Sequence, residues 1–103
     1  MEFYIEEHKK EIISNLIKLL QIPSVKQKSN DPNIPFGIEI NNALLFMLNL
    51  GKQLGFRTKN IDNKCGYIEF GPENTRLIGI ICHLDVVPSG NEWSFEPFSR
   101  NYF

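Results

Sequence analysis

The spacing of hydrophobic residues predicts two helices in the first half of the chain. Over residues 3–21, isoleucine and leucine recur at steps of three, four and seven, which places them on one face of a helix. Pro23 ends this pattern, and residues 26–37, which lack periodicity and contain two prolines, are predicted to form a loop. A second helix is predicted over residues 38–54, and Gly55 follows it where a left-handed cap is expected.

After Gly55 the hydrophobic pattern changes to a period of two, which is typical of β-strands. Residues 57–61 and 65–70 are predicted to form two short strands joined by a turn at residues 62–64. Ile68 and Phe70 are expected to share one face of the second strand. The stretch "GPEN" is predicted to be another turn, which returns the chain antiparallel to the hairpin.

A third strand is predicted over residues 76–82, and it is hydrophobic on both of its faces. Such a strand is typical of the centre of a sheet with layers above and below it, which favours an α/β sandwich. Two helices and one hairpin are too few to cover both faces. We therefore expect the sheet to be incomplete within residues 1–103 and the chain to be the amino-terminal part of a larger fold. The apolar side chains of this strand are Leu77, Ile78, Ile80 and Ile81.

Composition and charge narrow the classes of function. Eleven basic and twelve acidic side chains give a net charge of −1, without the basic excess of a nucleic-acid-binding protein. The apolar runs fall far short of the ~20 residues of a membrane span, and the first residues do not follow a secretory signal pattern. A cytoplasmic protein is therefore expected. Cys65 and Cys82 are expected to be reduced thiols that fill buried space.

His83 and Asp85 stand directly after the third predicted strand, at the end of a sheet where ligands gather in open α/β folds. Side chains two residues apart on extended backbone point the same way, so imidazole and carboxylate can face one site. An aspartate so placed can orient a metal-bound histidine through its second ring nitrogen. A histidine at a strand end with only a local hydrogen bond fits the same pattern. Zinc takes three or four protein ligands, and the second histidine, His8, is predicted to be solvated on the first helix.

Two further features have weaker functional interpretations. Cys82 beside His83 suggests a thiol nucleophile with its base, but neighbouring residues on a strand face opposite ways, which disfavours this pair. The aromatic residues Trp93, Phe95 and Phe98 could contact a substrate, but the pattern favours a loop anchored by its own rings. The sequence contains no Gly-rich phosphate or dinucleotide fingerprint.

The stretch "GIICHLDVVPSGNEWSFEPF" resembles the signature of a family of zinc-dependent metallopeptidases. This family includes aminoacylase, carboxypeptidase G, succinyl-diaminopimelate desuccinylase, carnosinase and bacterial dipeptidase V. Its pattern is an apolar strand, His-x-Asp-Val-Val-Pro, a Gly-containing turn, a Trp and then Pro-Phe. The stretches "LLQIPSV", "PFG", "LGF" and "CGYIEFG" resemble the dipeptidase V branch in order and spacing. The signature residues are His83, Asp85, Val86, Val87, Pro88, Gly90, Trp93, Pro97 and Phe98.

The resemblance implies a three-layer α/β/α zinc-peptidase catalytic domain, of which residues 1–103 are the amino-terminal portion without the lid or dimerisation domain. It implies that His83 binds one of two zinc ions, with cobalt or manganese as possible replacements. It also implies that Asp85 is the catalytic residue that holds the imidazole. The implied substrates are dipeptides or N-blocked amino acids. Cys82 stands where the family often has glycine, and the remaining ligands and the general base are expected beyond residue 103.

Residues 1–103 alone are therefore expected to be inactive as a hydrolase, because one imidazole and one carboxylate leave most of a zinc shell unfilled. A second hypothesis is a non-catalytic remnant or interaction module that binds no metal. In that case, we expect the exposed sheet edge to favour self-association.

Overall fold

The computed structural model describes residues 2–73 and 76–99. Within this part of the chain, two helices precede two strands that pair as one antiparallel sheet, a small mixed α/β arrangement. Each element lies within one residue of its predicted bounds, and neither helix is long and apolar enough to cross a membrane. The elements are α1 (Glu2–Leu20), α2 (Ile38–Gln53), β1 (Arg57–Ile61) and β2 (Cys65–Glu69).

The C-terminus of α2 is closed by the left-handed glycine that the sequence predicts. Gly55 has a φ of +87°, a conformation that glycine adopts without the clash a Cβ would cause. Its N–H donates to Lys52 O at 3.0 Å, and the N–H of Phe56 donates to Gly51 O at 3.0 Å. These two bonds form a Schellman motif, which satisfies the last helical carbonyls and directs the chain into β1.

The hairpin of β1 and β2 is fixed by its turn as well as by its ladder. The register runs from Arg57 opposite Glu69 to Ile61 opposite Cys65. The turn residues Asp62 and Asn63 have φ values of +54° and +56°, which these residue types tolerate better than most. In addition, the Asn60 side chain accepts a bond from the Asn63 N–H at 2.9 Å. The predicted turn at residues 62–64 is thereby confirmed.

Two glycines allow α2 to pack closely on the hairpin. A Cβ on Gly51 would lie 2.9 Å from Ile68 Cδ1, so the Ile68 side chain covers the helix where it has no side chain. On β2, a Cβ at Gly66 would lie 3.0 Å from Leu48 Cδ2. Leu48 is 9% exposed and Ala43 is fully buried, and these are the hydrophobic residues buried within the described chain. The core is therefore small and lies under α2.

The helix α1 is formed as predicted, but its hydrophobic face is largely uncovered. None of its described side chains is buried, and the apolar residues of the predicted face are about half exposed. Its stability must therefore come mainly from internal hydrogen bonds and partial contact with α2, because apolar surface contributes to stability only when it is removed from water. The exposed residues include Ile5, Ile12, Leu16 and Leu20.

The prediction of a third strand over residues 76–82 is wrong for the structure described here. These residues form neither a helix nor a ladder, and Ile81 is 100% exposed. A strand exists only where neighbouring backbone supplies hydrogen bonds, and the described chain offers none alongside this segment. The three-layer arrangement is accordingly not formed by residues 2–73 and 76–99. The nearest pairing is a single parallel bridge between Val25 and Val86, beyond the end of the predicted strand.

Candidate functional site

The candidate site consists of His83 and Asp85, which the structure brings together. His83 Nδ1 lies 2.9 Å from the backbone oxygen of Asp85 and 3.3 Å from its carboxylate Oδ1. A carbonyl oxygen can only accept a hydrogen bond, so Nδ1 carries the proton in this contact. The lone pair of the neutral ring then belongs to Nε2, the nitrogen on the other side of the ring. This is the arrangement in which a histidine can bind a metal while an oxygen holds its second nitrogen.

The pair is open to solvent. The side chains of His83 and Asp85 are 81% and 60% exposed. Neither group is therefore enclosed by the described chain, and water reaches both. Their roles as metal ligand and catalytic residue stay predictions, because proximity alone is also expected for a local hydrogen bond at the end of an extended segment.

A buried serine, sixty positions before Leu84, supports the backbone of the site. Ser24 is 4% exposed, and its Oγ donates to the backbone oxygen of Leu84 at 2.7 Å. The Val86 N–H donates to Ser24 O at 3.0 Å, within the parallel bridge between Val25 and Val86. The role of this residue is not predictable from the sequence, because nothing in "LLQIPSV" shows which distant carbonyl its serine contacts.

A cavity of about 600 Å³ lies beside the site. One wall is formed by apolar residues of α2 and the hairpin, including Leu44, Met47 and Ile68. The cavity is also lined by residues of the motif stretch, among them Ile80, His83 and Asp85. The two site residues therefore line an apolar cleft together with α2 and the hairpin.

The donor set fits one metal ligand and its orienting partner, and no more. Within residues 2–73 and 76–99, no three His, Cys, Asp or Glu side chains come together as a possible metal site. Zinc sites in proteins use three or four protein ligands. A complete zinc site would therefore need donors in addition to His83.

The two cysteines differ from the prediction of buried thiols. Cys65 and Cys82 are free and both are exposed. The exposure of Cys82 follows from the missing third strand, because a segment without neighbours has no interior face to fill, whereas Cys65 lies on the paired strand β2. The alternative of a thiol nucleophile at Cys82 gains no support, since the Nδ1 of His83 contacts Asp85.

The aromatic loop after the site is held by a hydrogen bond. Trp93 Nε1 donates to Ser89 O at 2.6 Å, which closes the turn that contains Gly90. Trp93 and Phe95 are 56% and 60% exposed. Contact with a substrate and anchoring of the loop by these rings both stay predictions.

The second histidine is separate from the site in its contacts. His8 Nδ1 lies 3.4 Å from Glu11 Oε2, and its ring lies 4.4 Å from the ring of Tyr4, both on α1. These are helix-surface contacts between residues three or four apart. His8 therefore offers a matched control for experiments on His83.

Comparison with known proteins identifies relatives that carry dipeptidase names. The chain is 42% identical over 92 residues to "Putative dipeptidase YtjP" of Bacillus subtilis, a match that covers 88% of this chain and 20% of the relative. It is 40% identical over 93 residues to a "Putative dipeptidase" of Staphylococcus epidermidis, covering 89% of this chain and 20% of the relative. A third relative, from Staphylococcus haemolyticus, is 35% identical over 96 residues, covering 92% and 20%.

The extent of these matches sets what they can support. The chain spans about one fifth of the length of the relatives that it matches. No family model matches the chain. The similarity therefore supports a dipeptidase-like segment.

Proposed function

We propose that this chain contributes part of a zinc-dependent dipeptidase, with His83 as a metal ligand and Asp85 as the residue that orients it. The observation that carries the proposal is the contact of His83 Nδ1 with Asp85, in a chain that is 35–42% identical to proteins named as dipeptidases. The substrates proposed are dipeptides or short N-blocked amino acids. Zinc is the proposed metal, with cobalt or manganese as substitutes.

His83 and Asp85 have separate tasks in this proposal. His83 presents Nε2 to the metal, while the backbone and carboxylate oxygens of Asp85 hold Nδ1 and fix the direction of the ring. A zinc ion bound there would polarise the substrate carbonyl and lower the pKa of a bound water from ~15.7 toward ~7. The further ligands and the general base belong to residues other than those described here.

Residues 1–103 alone have no peptidase activity in this proposal. One imidazole leaves most ligand positions open, and an exposed site gives no water-excluded environment for the reaction. The chain is proposed to form the amino-terminal portion of a three-layer catalytic domain. In that domain, residues 77–81 become a central strand that is covered on both faces.

The test is a chimaera in which residues 1–103 of this chain replace the matching segment of the Bacillus subtilis relative. We expect dipeptide hydrolysis that a chelator abolishes and zinc restores. The His83→Ala variant should lose activity by at least about 100-fold, in line with the loss of a metal ligand or its partner. The parent protein and the His8→Ala chimaera are the controls, and both should keep their activity.

Retention of activity by the His83→Ala chimaera would overturn the proposed role of His83. The purified chain of residues 1–103 provides a second check, because it should hydrolyse no dipeptide with zinc or cobalt present. Chelator-sensitive turnover by this chain, lost in His83→Ala, would contradict its proposed inactivity.

One observation favours a second candidate function. The complete exposure of Ile81, next to other exposed apolar side chains, is typical of a surface that associates with another polypeptide. An interaction module of this kind would form oligomers in light scattering and would give a chimaera without chelator-sensitive hydrolysis. Monomeric behaviour together with an active chimaera would exclude it.

A further inference from the structure

We infer that Ser24 is a positioning residue for the His83–Asp85 pair. This inference deepens the proposed function and rests on it for its purpose, although the geometry that carries it does not depend on a metal. Ser24 follows α1, which ends at Leu20, and lies sixty positions before Leu84. It touches neither the imidazole nor the carboxylate in any contact described above. Its effect must therefore pass through the backbone of Asp85.

Ser24 holds both peptide groups that flank the Cα of Asp85. Its Oγ donates to Leu84 O at 2.7 Å, and this carbonyl belongs to the peptide group before Asp85. Its backbone oxygen accepts from the Val86 N–H at 3.0 Å, and this amide belongs to the peptide group after Asp85. Fixing the two groups fixes φ and ψ of Asp85, because the peptide planes themselves are rigid.

The second of these peptide groups also makes the contact with His83. In a trans peptide the N–H and C=O point in opposite directions. The Val86 N–H points to Ser24, so the C=O of Asp85 in the same group points away from Ser24, where it meets His83 Nδ1 at 2.9 Å. Ser24 and His83 therefore hold opposite sides of one peptide group, and the orientation of that group sets the position of the imidazole.

The burial of Ser24 indicates that its hydroxyl is more than a surface contact. At 4% exposure it is one of two buried polar residues in the described chain, whereas Ser14 on α1 is exposed. The bond from the Ser24 hydroxyl to Leu84 O is partly buried, so water replaces a lost donor there less readily than at a fully exposed carbonyl. Within residues 2–73 and 76–99, the main-chain bridge between Val25 and Val86 would otherwise be the only backbone hydrogen-bond contact between these two segments.

The test is NMR on the metal-free chain and on its Ser24→Ala and Ser24→Thr variants, at a pH where the imidazoles are neutral. Ring nitrogen shifts report how much of His83 carries its proton on Nδ1, and side-chain couplings report its χ1 rotamer. The unaltered chain should favour the Nδ1–H form and a single rotamer. In Ser24→Ala the ratio of Nδ1–H to Nε2–H should fall about two- to twelvefold, the range for one lost hydrogen-bond contribution.

Ser24→Thr keeps the hydroxyl and should restore the ratio, and Ser14→Ala is the matched control that should leave it unchanged. The result that overturns the inference is a Ser24→Ala chain in which Val86 amide exchange accelerates while the tautomer and rotamer of His83 stay the same. That pattern would mean that Ser24 only joins two segments. Loss of the amide signals of β1 and β2 in Ser24→Ala would also count against it, because Ser24 would then be supporting the fold in general.

The NMR result for Ser24 and the hydrolysis result for the chimaera can be told apart. A tautomer of His83 that depends on Ser24, together with an inactive chimaera, would overturn the proposed function and leave the positioning role standing. An active chimaera with a tautomer that does not respond to Ser24 would overturn the positioning role alone.

Discussion

The helix–hairpin region, residues 37–71, and the motif segment, residues 76–99, differ in how they are held. In the helix–hairpin region, α2 ends at a hydrogen-bonded glycine cap and the two strands pair in register. Leu48 of α2 is buried where the helix packs on β2. In the motif segment, the described backbone pairs with the rest of the chain only around Ser24. The residues with candidate chemistry lie in the second region. Structure and proposed chemistry are therefore carried by different parts of the chain.

The difference shows what each region requires from its surroundings. The helix–hairpin region forms from local turns, caps and strand pairing, because α2, β1 and β2 follow one another along the chain and contact each other. The motif segment exposes apolar side chains that would each contribute roughly 1.5–3 kcal/mol on full burial. A covering layer would therefore stabilise residues 77–81 strongly, which agrees with the proposal that they become a central strand in a longer polypeptide.

Among substitutions that separate the two regions, Leu48→Ala is expected to lower the free energy of unfolding most. Leu48 is 9% exposed and packs on Gly66, so the substitution should cost about 2–5 kcal/mol and unfold much of the helix–hairpin region. Denaturant unfolding followed by circular dichroism measures the loss. Leu45→Ala on the same helix is the matched control, since Leu45 is 39% exposed and should cost much less. Equal losses for the two variants would show that α2 does not pack as described.

A smaller effect is expected from Gly55→Ala. The φ of +87° at Gly55 places an added Cβ in the left-handed region, at a cost of roughly 1–2 kcal/mol. The same substitution at Gly79, in the motif segment, meets open space and should leave the unfolding of the helix–hairpin region unchanged. Thermal unfolding of both variants makes the comparison. A cost at Gly79 as large as that at Gly55 would mean that the two regions are coupled in the isolated chain.

The sequence predicts those features whose causes are local. The helix ends, the cap at Gly55 and the turn between the strands follow from residue types and short-range spacing. The proximity of His83 and Asp85 is also local, because two positions of extended backbone bring the side chains together even where no strand forms. The hydrogen bond from Ser24 to Leu84 joins residues sixty positions apart, and no periodic pattern encodes it.

The third strand shows the limit of hydrophobic patterning. The apolar run of residues 77–81 correctly describes a segment suited to burial on two faces, but burial depends on neighbours that the pattern does not supply. The exposure of Cys82 has the same origin. A pattern therefore predicts what a segment requires, while the structure shows whether the described chain provides it.

X-ray diffraction from crystals of the zinc-loaded chimaera, with anomalous data collected at the zinc edge, tests directly whether His83 binds zinc while Asp85 holds its other ring nitrogen. We expect a zinc peak about 2.0–2.1 Å from His83 Nε2, with Nδ1 of the same ring on the oxygens of Asp85. The His83→Ala crystals should lose or weaken that peak, whereas His8→Ala crystals should keep it. A zinc site that does not include His83, or one in which Nδ1 binds the metal and Asp85 turns away, would contradict the roles proposed for His83 and Asp85.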